Sequence, residues 1–533
     1  MQRSQNLEKL QSQSFDLLVI GGGATGAGIA LDAATRGLSV ALVERDDFAS
    51  GTSSKSTKLI HGGVRYLEQA VKGLDKGQLN LVKDALKERA ILIKNAPHLS
   101  RPLALLTPLY KPFQKSYFKI GLKMYDWLAG KSNLFPSRSV SAKEALRIFP
   151  MLKSKHLKGG VIYADGQFDD ARMNVAIAMT ALEEGAVVVN YVEVLALIHE
   201  QEKLVGAQLQ DRFSKKKFEV RAKVIINATG PFVDKVRKMD DPQTEAILKA
   251  SSGVHIILDK KFSPPDTGLL IPKTEDGRVL FLLPWLGHTL AGTTDNPAKI
   301  VDDPKASEED IRYILRHLEL YYEQPIARKE VLSAWCGLRP LVSNPKAVDT
   351  ARLSRDHIIQ ISKSGLLTIT GGKWTTYRKM ALDAVNQAVK LGKLKEAGAS
   401  KTETTRLVGG RFYKNSLRQE LAEQYGFTDT VAHHLSLAYG GRAADVAILA
   451  KMGHETLLAT NHPYLEAEVL YALKNEMAQC ALDVLARRTR LAFLDHQATL
   501  IALPRVIELM AKELSWSEAR QDEERKNVLE YLR

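Results

Sequence analysis

The chain has 533 residues, of which 45% are hydrophobic and 26% charged, with ordinary counts of 36 glycines and 19 prolines. This composition excludes disordered, collagen-like and coiled-coil architectures and predicts about two or three domains, at roughly 100–200 residues each. Two cysteines, Cys336 and Cys480, exclude a disulfide framework and a CxxC metal site, and a net charge of +14 calls for an anionic partner: nucleic acid, an anionic membrane surface or a phosphorylated substrate.

The first fourteen residues are polar, with neither the apolar core of a signal peptide nor an arginine-rich transit pattern. Residues 17–31 are uncharged but too short and glycine-rich to span a bilayer. Phe15–Ile20 reads as a buried strand. A glycine turn follows, then a helix through 27–35 ended by Gly37, then a second strand over 38–43 closing on Glu44. This is the βαβ unit of a parallel sheet. Residues 46–64 are rich in Ser, Thr and Gly and read as loop with short helical turns. A helix is predicted over 78–94, with Val82, Leu86, Ala90 and Ile93 on one face, and 97–140 is basic, aromatic and broken by proline.

Residues 186–192 and 223–227 read as strands. Short strand signals at 254–258, 279–283 and 289–292, with turns between, predict an antiparallel sheet. A helix is expected over 311–322. Strands follow at His357–Ile361 and 366–370, where Gly371 and Gly372 open a helix through 377–389. Beyond about residue 395 the strand signals end. Val469, Leu473, Met477, Cys480 and Val484 keep helical spacing, and 506–514 adds another helix. A helical C-terminal domain is therefore expected over about 400–533.

The turn Gly21-Gly22-Gly23-Ala24-Thr25-Gly26 is a G-x-G-x-x-G placed between a strand and a helix. Its glycines serve a tight turn, the approach of backbone to a pyrophosphate, and close helix–strand packing. The helix start turns its positive end to the phosphates. Glu44 lies 18 residues past Gly26, where a carboxylate accepts hydrogen bonds from an adenosine ribose. Three later segments favour flavin over nicotinamide. Thr52, Ser53, Ser54, Ser56 and Thr57 supply hydroxyls behind the first βαβ unit. A strand ends in Asn227-Ala228-Thr229-Gly230, and Gly371-Gly372-Lys373 forms a second strand-to-helix turn late in the chain. An extended dinucleotide on a sheet that the chain revisits explains all three.

These segments have a familiar order. Gly21 to Gly26 with Glu44, Ser56-Thr57-Lys58-Leu59-Ile60-His61-Gly62-Gly63-Val64-Arg65-Tyr66-Leu67-Glu68, Asn227 to Pro231, Gly292-Thr293-Thr294-Asp295, Gly337-Leu338-Arg339-Pro340-Leu341, Ser354-Arg355-Asp356 and Gly371 to Arg378 resemble the FAD-dependent glycerol-3-phosphate dehydrogenase family. So does Leu485-Ala486-Arg487-Arg488-Thr489-Arg490 near the end. The resemblance implies an α/β fold with a glutathione-reductase-type, Rossmann-like FAD-binding sheet, an interleaved antiparallel-sheet substrate domain and an all-α C-terminal domain. It divides an oxidoreductase region, 15–395, into FAD-binding parts at about 15–95, 155–250 and 335–395 and cap parts at about 96–154 and 251–334. It implies oxidation of sn-glycerol 3-phosphate to dihydroxyacetone phosphate, with electrons passing from FAD to a quinone at the inner face of the cell membrane.

Within those motifs, Arg339 and Arg355 are the candidates for the substrate phosphate, because a guanidinium makes bidentate, charge-assisted bonds. Arg65 is placed to hold a substrate oxygen or the developing alkoxide. His61 is the candidate general base, since imidazole titrates near neutrality. Lys373, at a helix start, needs an anion nearby, and Tyr66 and Tyr377 offer phenols. Leu59, His61, Val192, Ala228, Gly230, Gly371, Gly372, Lys373 and Thr375 join the glycine turn and the hydroxyl loop as the expected FAD contacts.

Lys111, Lys115, Lys119 and Lys123 recur every four residues among Phe113, Phe118, Leu122, Tyr125 and Trp127. A helix over about 109–130 with that pattern suits an anionic bilayer interface, or else packs on its own protein with its lysines solvated. An oxidase that reduces oxygen, and another alcohol or amine oxidation on the same flavin fold, are the alternative activities. No zinc spacing, RNA-reading motif or basic zipper supports nucleic-acid binding. A homodimer is possible.

Overall fold

The computed structural model describes residues 2–533 apart from 64–75, 112–113, 276 and 343–356. The chain builds two large sheets. In the first, the order is His357–Ile361, Leu367–Gly371, Lys217–Asn227, Phe15–Ile20, Val40–Val43 and Val187–Val189. All these strands run parallel except His357–Ile361, which closes the edge antiparallel to its neighbour. Buried on both faces, Phe15–Ile20 and Val40–Val43 read as continuous apolar runs, as central parallel strands do.

One face is covered by the helices Ala24–Thr35, Asp170–Glu183 and Tyr377–Leu391, whose small residues let them pack closely. A Cβ on Gly28 would stand 2.9 Å from the Tyr377 ring and 3.2 Å from the Ala381 Cβ. The other face carries the antiparallel meander Val192–Glu200, Lys203–Asp211 and the first half of Lys217–Asn227, joined by the N-terminal helix Gln2–Ser12 through Leu10.

The second sheet runs Asn296–Ala298, Leu248–Leu258, His288–Gly292, Leu280–Trp285, Thr267–Ile271, Ser100–Leu109, Gly159–Phe168 and Leu59–Ile60. Val331–Val342 lies along Leu248–Leu258, and Arg138–Val140 along Gly159–Phe168. Its pairings are antiparallel except that of Thr267–Ile271 with Ser100–Leu109. The antiparallel sheet expected from 254–258, 279–283 and 289–292 is thus present. It also recruits Ser100–Leu109 and Gly159–Phe168, which carry no strand signal in the sequence. Gly159–Phe168 and Val331–Val342 belong to this sheet, whereas the sequence reading gives 155–250 and 335–395 to the FAD-binding part.

The C-terminal region is helical, from Leu417–Tyr425 to Glu518–Leu532. The helical spacing from Val469 to Val484 is broken, however. The helix Glu466–Asn475 stops, Met477 turns at φ 55°, and helix resumes before Asp483–Arg488. The break is held from elsewhere: Arg488 Nη2 donates to the Glu476 carbonyl at 2.7 Å, and the Asp483 carboxylate accepts the N–H groups of Gln479 (2.7 Å) and Cys480 (3.0 Å).

Candidate active site

Between the two sheets lies a cavity of about 1050 Å³. Of the residues expected at the site, it brings together Gly21, Gly23, Ala24, Thr25, Glu44, Thr52, Ser53, Ser56, Thr57, Leu59, His61, Val192, Ala228, Gly230, Arg339, Gly371, Gly372, Lys373, Thr375 and Tyr377. Gly26 and Ser54 do not line it. Gly26 backs the turn, where a Cβ would stand 1.8 Å from the Gly21 carbonyl oxygen. Ser54 is buried and gives its carbonyl to Lys58 and Arg490. Arg65, Tyr66 and Arg355 lie outside the described residues.

At one end the cavity has the shape of a dinucleotide cradle. Gly21 has φ 108°, and a Cβ there would stand 2.7 Å from the Ala228 carbonyl oxygen, so the turn closes only with glycine. The Gly21 N–H donates to the Val43 carbonyl (2.8 Å), and Asn174 Nδ2 donates to the Gly22 carbonyl (2.8 Å). Helix Ala24–Thr35 then begins facing the cavity, the arrangement that favours phosphate. Ser53 Oγ accepts the Ala24 N–H at 3.0 Å.

Glu44 accepts the N–H groups of Gly22 (2.6 Å) and Asp46 (2.9 Å). Burial, with the neighbouring charge of Asp46 adding to it, pushes its carboxyl up to about 7. Late in the chain Gly371 and Gly372 turn at φ 79° and 67°. Trp374 Nε1 donates to the Ser53 carbonyl (2.9 Å) and Thr375 Oγ1 to the His61 carbonyl (3.4 Å), tying that turn to the hydroxyl-rich loop.

At the other end sits a histidine that the sequence reading missed. His255 is buried, its Nε2 is 2.9 Å from Thr57 Oγ1, and its ring stacks on Trp335 at 5.5 Å and 17°. Burial first, then the charges of Lys58 and Arg339, hold it well below the usual imidazole range, so it is neutral at pH 7. Its cross-strand neighbours are Gly292 and Trp335. A Cβ at Gly292 would stand 2.4 Å from His255 Cδ2, so the glycine makes room for the ring.

Arg339 is accommodated in the same way, across Gly253, where a Cβ would stand 2.2 Å from its Nη2. Its fork donates to Thr293 Oγ1 (2.9 Å), Asp295 Oδ1 (3.1 Å), the Thr294 carbonyl (3.1 Å) and the Ser252 carbonyl (3.2 Å). The one sequence signal for His255 is a polar residue inside the apolar run Val254 to Leu258.

His61 lines the cavity on a backbone fixed from beneath. The Gly62 N–H donates to the Tyr125 hydroxyl (2.9 Å) and Asp165 Oδ1 (3.2 Å), and buried Arg89 donates to the same carboxylate oxygen (2.8 Å). Tyr377 is buried, its ring against Gly28 and 5.4 Å from that of Trp374. Burial raises its phenol well above the usual range, so it stays protonated.

Residues 16–378 match the family of FAD dependent oxidoreductases, and 400–521 match the C-terminal domain of alpha-glycerophosphate oxidase. The mitochondrial glycerol-3-phosphate dehydrogenase of Bos taurus is 50% identical over 99% of this chain and 74% of its own. That of Arabidopsis thaliana is 48% identical over 100% of this chain and 88% of its own. The chain belongs to the FAD-dependent glycerol-3-phosphate dehydrogenase family. A solved structure of the Bacillus halodurans glycerol-3-phosphate dehydrogenase complexed with FAD matches it with a TM-score of 0.82 at 32% identity, covering 100% of this chain and 97% of that one. FAD is accordingly the family cofactor. The residues here fit it: the turn closes tightly only with glycine, since a Cβ at Gly21 or Gly26 would strike neighbouring backbone, and the carboxyl of Glu44 stands at the cavity wall beside that turn.

Proposed function

We propose that this protein oxidises sn-glycerol 3-phosphate to dihydroxyacetone phosphate and passes the electrons to a membrane quinone. The observation that carries the reading is the meeting of Arg339, Lys373 and the neutral His255 on one cavity whose other end is the dinucleotide cradle. Held in this cradle, FAD would supply the acceptor for the hydride of the carbinol carbon. The chain's own residues must grip the substrate, orient it and take its hydroxyl proton.

Arg339 is the anchor for the phosphate dianion, with its fork held rigid by Asp295 and Thr293. Lys373, immediately before the helical turn Trp374–Thr376, adds a second cation. His255 takes the hydroxyl proton at Nε2 by way of the Thr57 hydroxyl, which gives its own proton to Nε2 across 2.9 Å as it accepts the substrate's. His61, on the same cavity, is the second candidate, and His255→Asn and His61→Asn made separately decide between them. At the cradle, the glycine turn and the start of helix Ala24–Thr35 take the pyrophosphate, and Glu44 takes the ribose hydroxyls.

The test is anaerobic mixing of the yellow holoenzyme with sn-glycerol 3-phosphate. Bleaching of the flavin band, reversed by a quinone analogue, is expected; a flavin that stays oxidised overturns the reading. The match of 400–521 to an oxidase C-terminal domain supports a second reading, with oxygen as acceptor. Peroxide yield in air with and without the quinone separates the two.

Peripheral attachment to the inner face of the cell membrane completes the proposal. Among the described residues no helix is long and apolar enough to cross a membrane. In the helix Gln114–Ala129, Leu122 and Tyr125 are buried in the protein, while Trp127 is 76% exposed and Lys123 points outward beside Asp126 at 3.7 Å. The apolar face is therefore partly used internally, and the lipid contact is assigned to the edge carrying Lys123 and Trp127. Sedimentation with anionic vesicles, weakened by Trp127→Ala, is the expected result; equal sedimentation of the variant removes this edge from the proposal.

A further inference from the structure

Beneath the Thr57–His255 pair lies a charge cluster that the reaction, as set out above, does not use. Lys58 has no exposed surface, and its Nζ donates to Asp170 Oδ2 and to the Ser54 carbonyl, both at 2.7 Å. The same Asp170 oxygen accepts the Ser56 N–H (3.0 Å) and the Ser56 hydroxyl (2.7 Å). Arg490, 1% exposed, comes from the C-terminal helical region. It donates from Nη2 to the Ser54 carbonyl (2.8 Å) and Asp170 Oδ1 (3.1 Å), and from Nη1 to the Ala486 carbonyl (2.8 Å).

Three aromatic rings close over the cations. Lys58 Nζ is 5.1 Å from the Trp285 centroid and 5.2 Å from that of Trp335, and Arg490 Cζ is 4.2 Å from that of Phe493. Trp335 is also the ring on which His255 stacks. Both Lys58 (φ 63°) and Arg490 (φ 68°) hold the left-handed backbone that non-glycine residues rarely adopt.

None of Lys58, Asp170 and Arg490 lines the cavity, so none touches substrate or flavin. Their bonds converge on the loop 54–58, which carries Thr57. Burying two cations on a carboxylate is costly, and apolar residues of similar size would join the two regions at lower cost. The cluster therefore points to a job other than adhesion.

We infer that Arg490, Asp170 and Lys58 form a positioning triad that fixes Thr57 and, through it, the imidazole of His255, so that the C-terminal helical region controls proton removal from the substrate. This rests on the reading of His255 as the proton acceptor. The charged groups acting on His255 are Lys58 and Arg339, and both disfavour its protonated form. Lys58 itself is pulled down toward about 7 by burial, against the attraction of Asp170.

The test uses full-length holoenzyme and the rate of anaerobic flavin reduction by sn-glycerol 3-phosphate. Arg490→Gln is expected to slow reduction by about tenfold or more, the scale of a small misplacement of a reacting group. KM and flavin content should stay within about twofold of wild type. Arg490→Lys should recover most of the rate. Lys58→Met should move the acid limb of the pH–rate profile to higher pH, because His255 then protonates more readily. The triad is overturned if Arg490→Gln lowers only the melting temperature and leaves rate and pH profile unchanged, or if Arg490→Lys is no better than Arg490→Gln. Should Arg490→Gln or Lys58→Met fail to retain flavin, Thr57→Val reads the same linkage from the cavity side. A wild-type rate there overturns the triad, and a slowed one with flavin retained supports it. His255→Asn separates the two readings: a wild-type reduction rate removes His255 as acceptor, whereas abolished reduction beside unaffected Arg490 and Lys58 variants removes only the triad.

Discussion

Glu44 makes the dinucleotide cradle testable through pH. Its half-buried carboxyl, at the cavity wall, is pushed up to about 7, against about 4.3 for a free glutamate. In the flavin-free protein it is therefore largely protonated at pH 5 and ionised at pH 8. Accepting two ribose hydroxyls requires the ionised form, while the pyrophosphate keeps its charge throughout this range. FAD affinity should then level off above about pH 8 and fall toward tenfold per unit below about pH 7, about fiftyfold between pH 7 and pH 5. That is about 2.3 kcal/mol.

The same group acts on the stability of the flavin-free protein. Its folded pKa lies above its unfolded one, so the stability it contributes is fully present below about 4.3 and is lost as pH rises through about 7. Glu44→Gln removes both dependences. The assay is titration of FAD into flavin-free protein, followed by quenching of flavin fluorescence, at half-unit steps from pH 5 to pH 8.5, with thermal melts alongside. A wild-type dissociation constant that does not change between pH 5 and pH 7, or a Glu44→Gln variant with the wild-type slope, refutes the reasoning.

Gly26→Ala puts a methyl 1.8 Å from the Gly21 carbonyl oxygen, so helix and turn must part; purified variant should be colourless or melt several degrees lower, as absorbance and calorimetry will show. Arg339→Lys keeps the charge but loses the fork to Thr293 and Asp295; KM for the phosphorylated substrate should rise about tenfold or more with flavin content unchanged, and an unaltered KM removes Arg339 from the phosphate. Asp47 is fully buried between Arg487 (2.6 Å) and Arg488 (2.7 Å). Asp47→Asn removes the carboxylate the two share, leaving Arg487 to Asp483 and Arg488 to Glu476, and denaturant titration should report a loss of about 3 kcal/mol.

The βαβ unit was legible because its signals are local. An apolar run, three spaced glycines and a following carboxylate all lie within thirty residues, and each reports its own conformation. Gly159–Phe168 shows the opposite case. Every residue in it is buried, so it lacks the alternation that marks a half-buried strand, and its three glycines read as breakers. Ser100–Leu109 is disguised by Pro102 and Pro108. The break after Asn475 is invisible for a different reason: its polar groups are satisfied by Arg488 and Asp483, so helical spacing alone runs straight through it.

The site divides along the same line. Arg339 and Lys373 stand in short motifs, and the cavity brings both to its wall. His255 has no such motif, because what makes it chemically useful is assembled from afar. Thr57 lies 198 residues away, Trp335 on a neighbouring strand, and Gly292 opposite on a third. A histidine amid Val254 and Ile256 reads as a core residue until those partners are in place. Lys58 and Arg490 are harder still. Each reads as a solvated charge in sequence, yet each is enclosed once the chain folds back across a separation of 436 residues and brings Arg490 to the Ser54 carbonyl. Such groups are tolerable only where every donor is matched, and matching is a property of the closed fold rather than of any window of sequence. Buried charges of this kind are therefore the places where function most readily escapes a reading of motifs, and where a structure adds most to one.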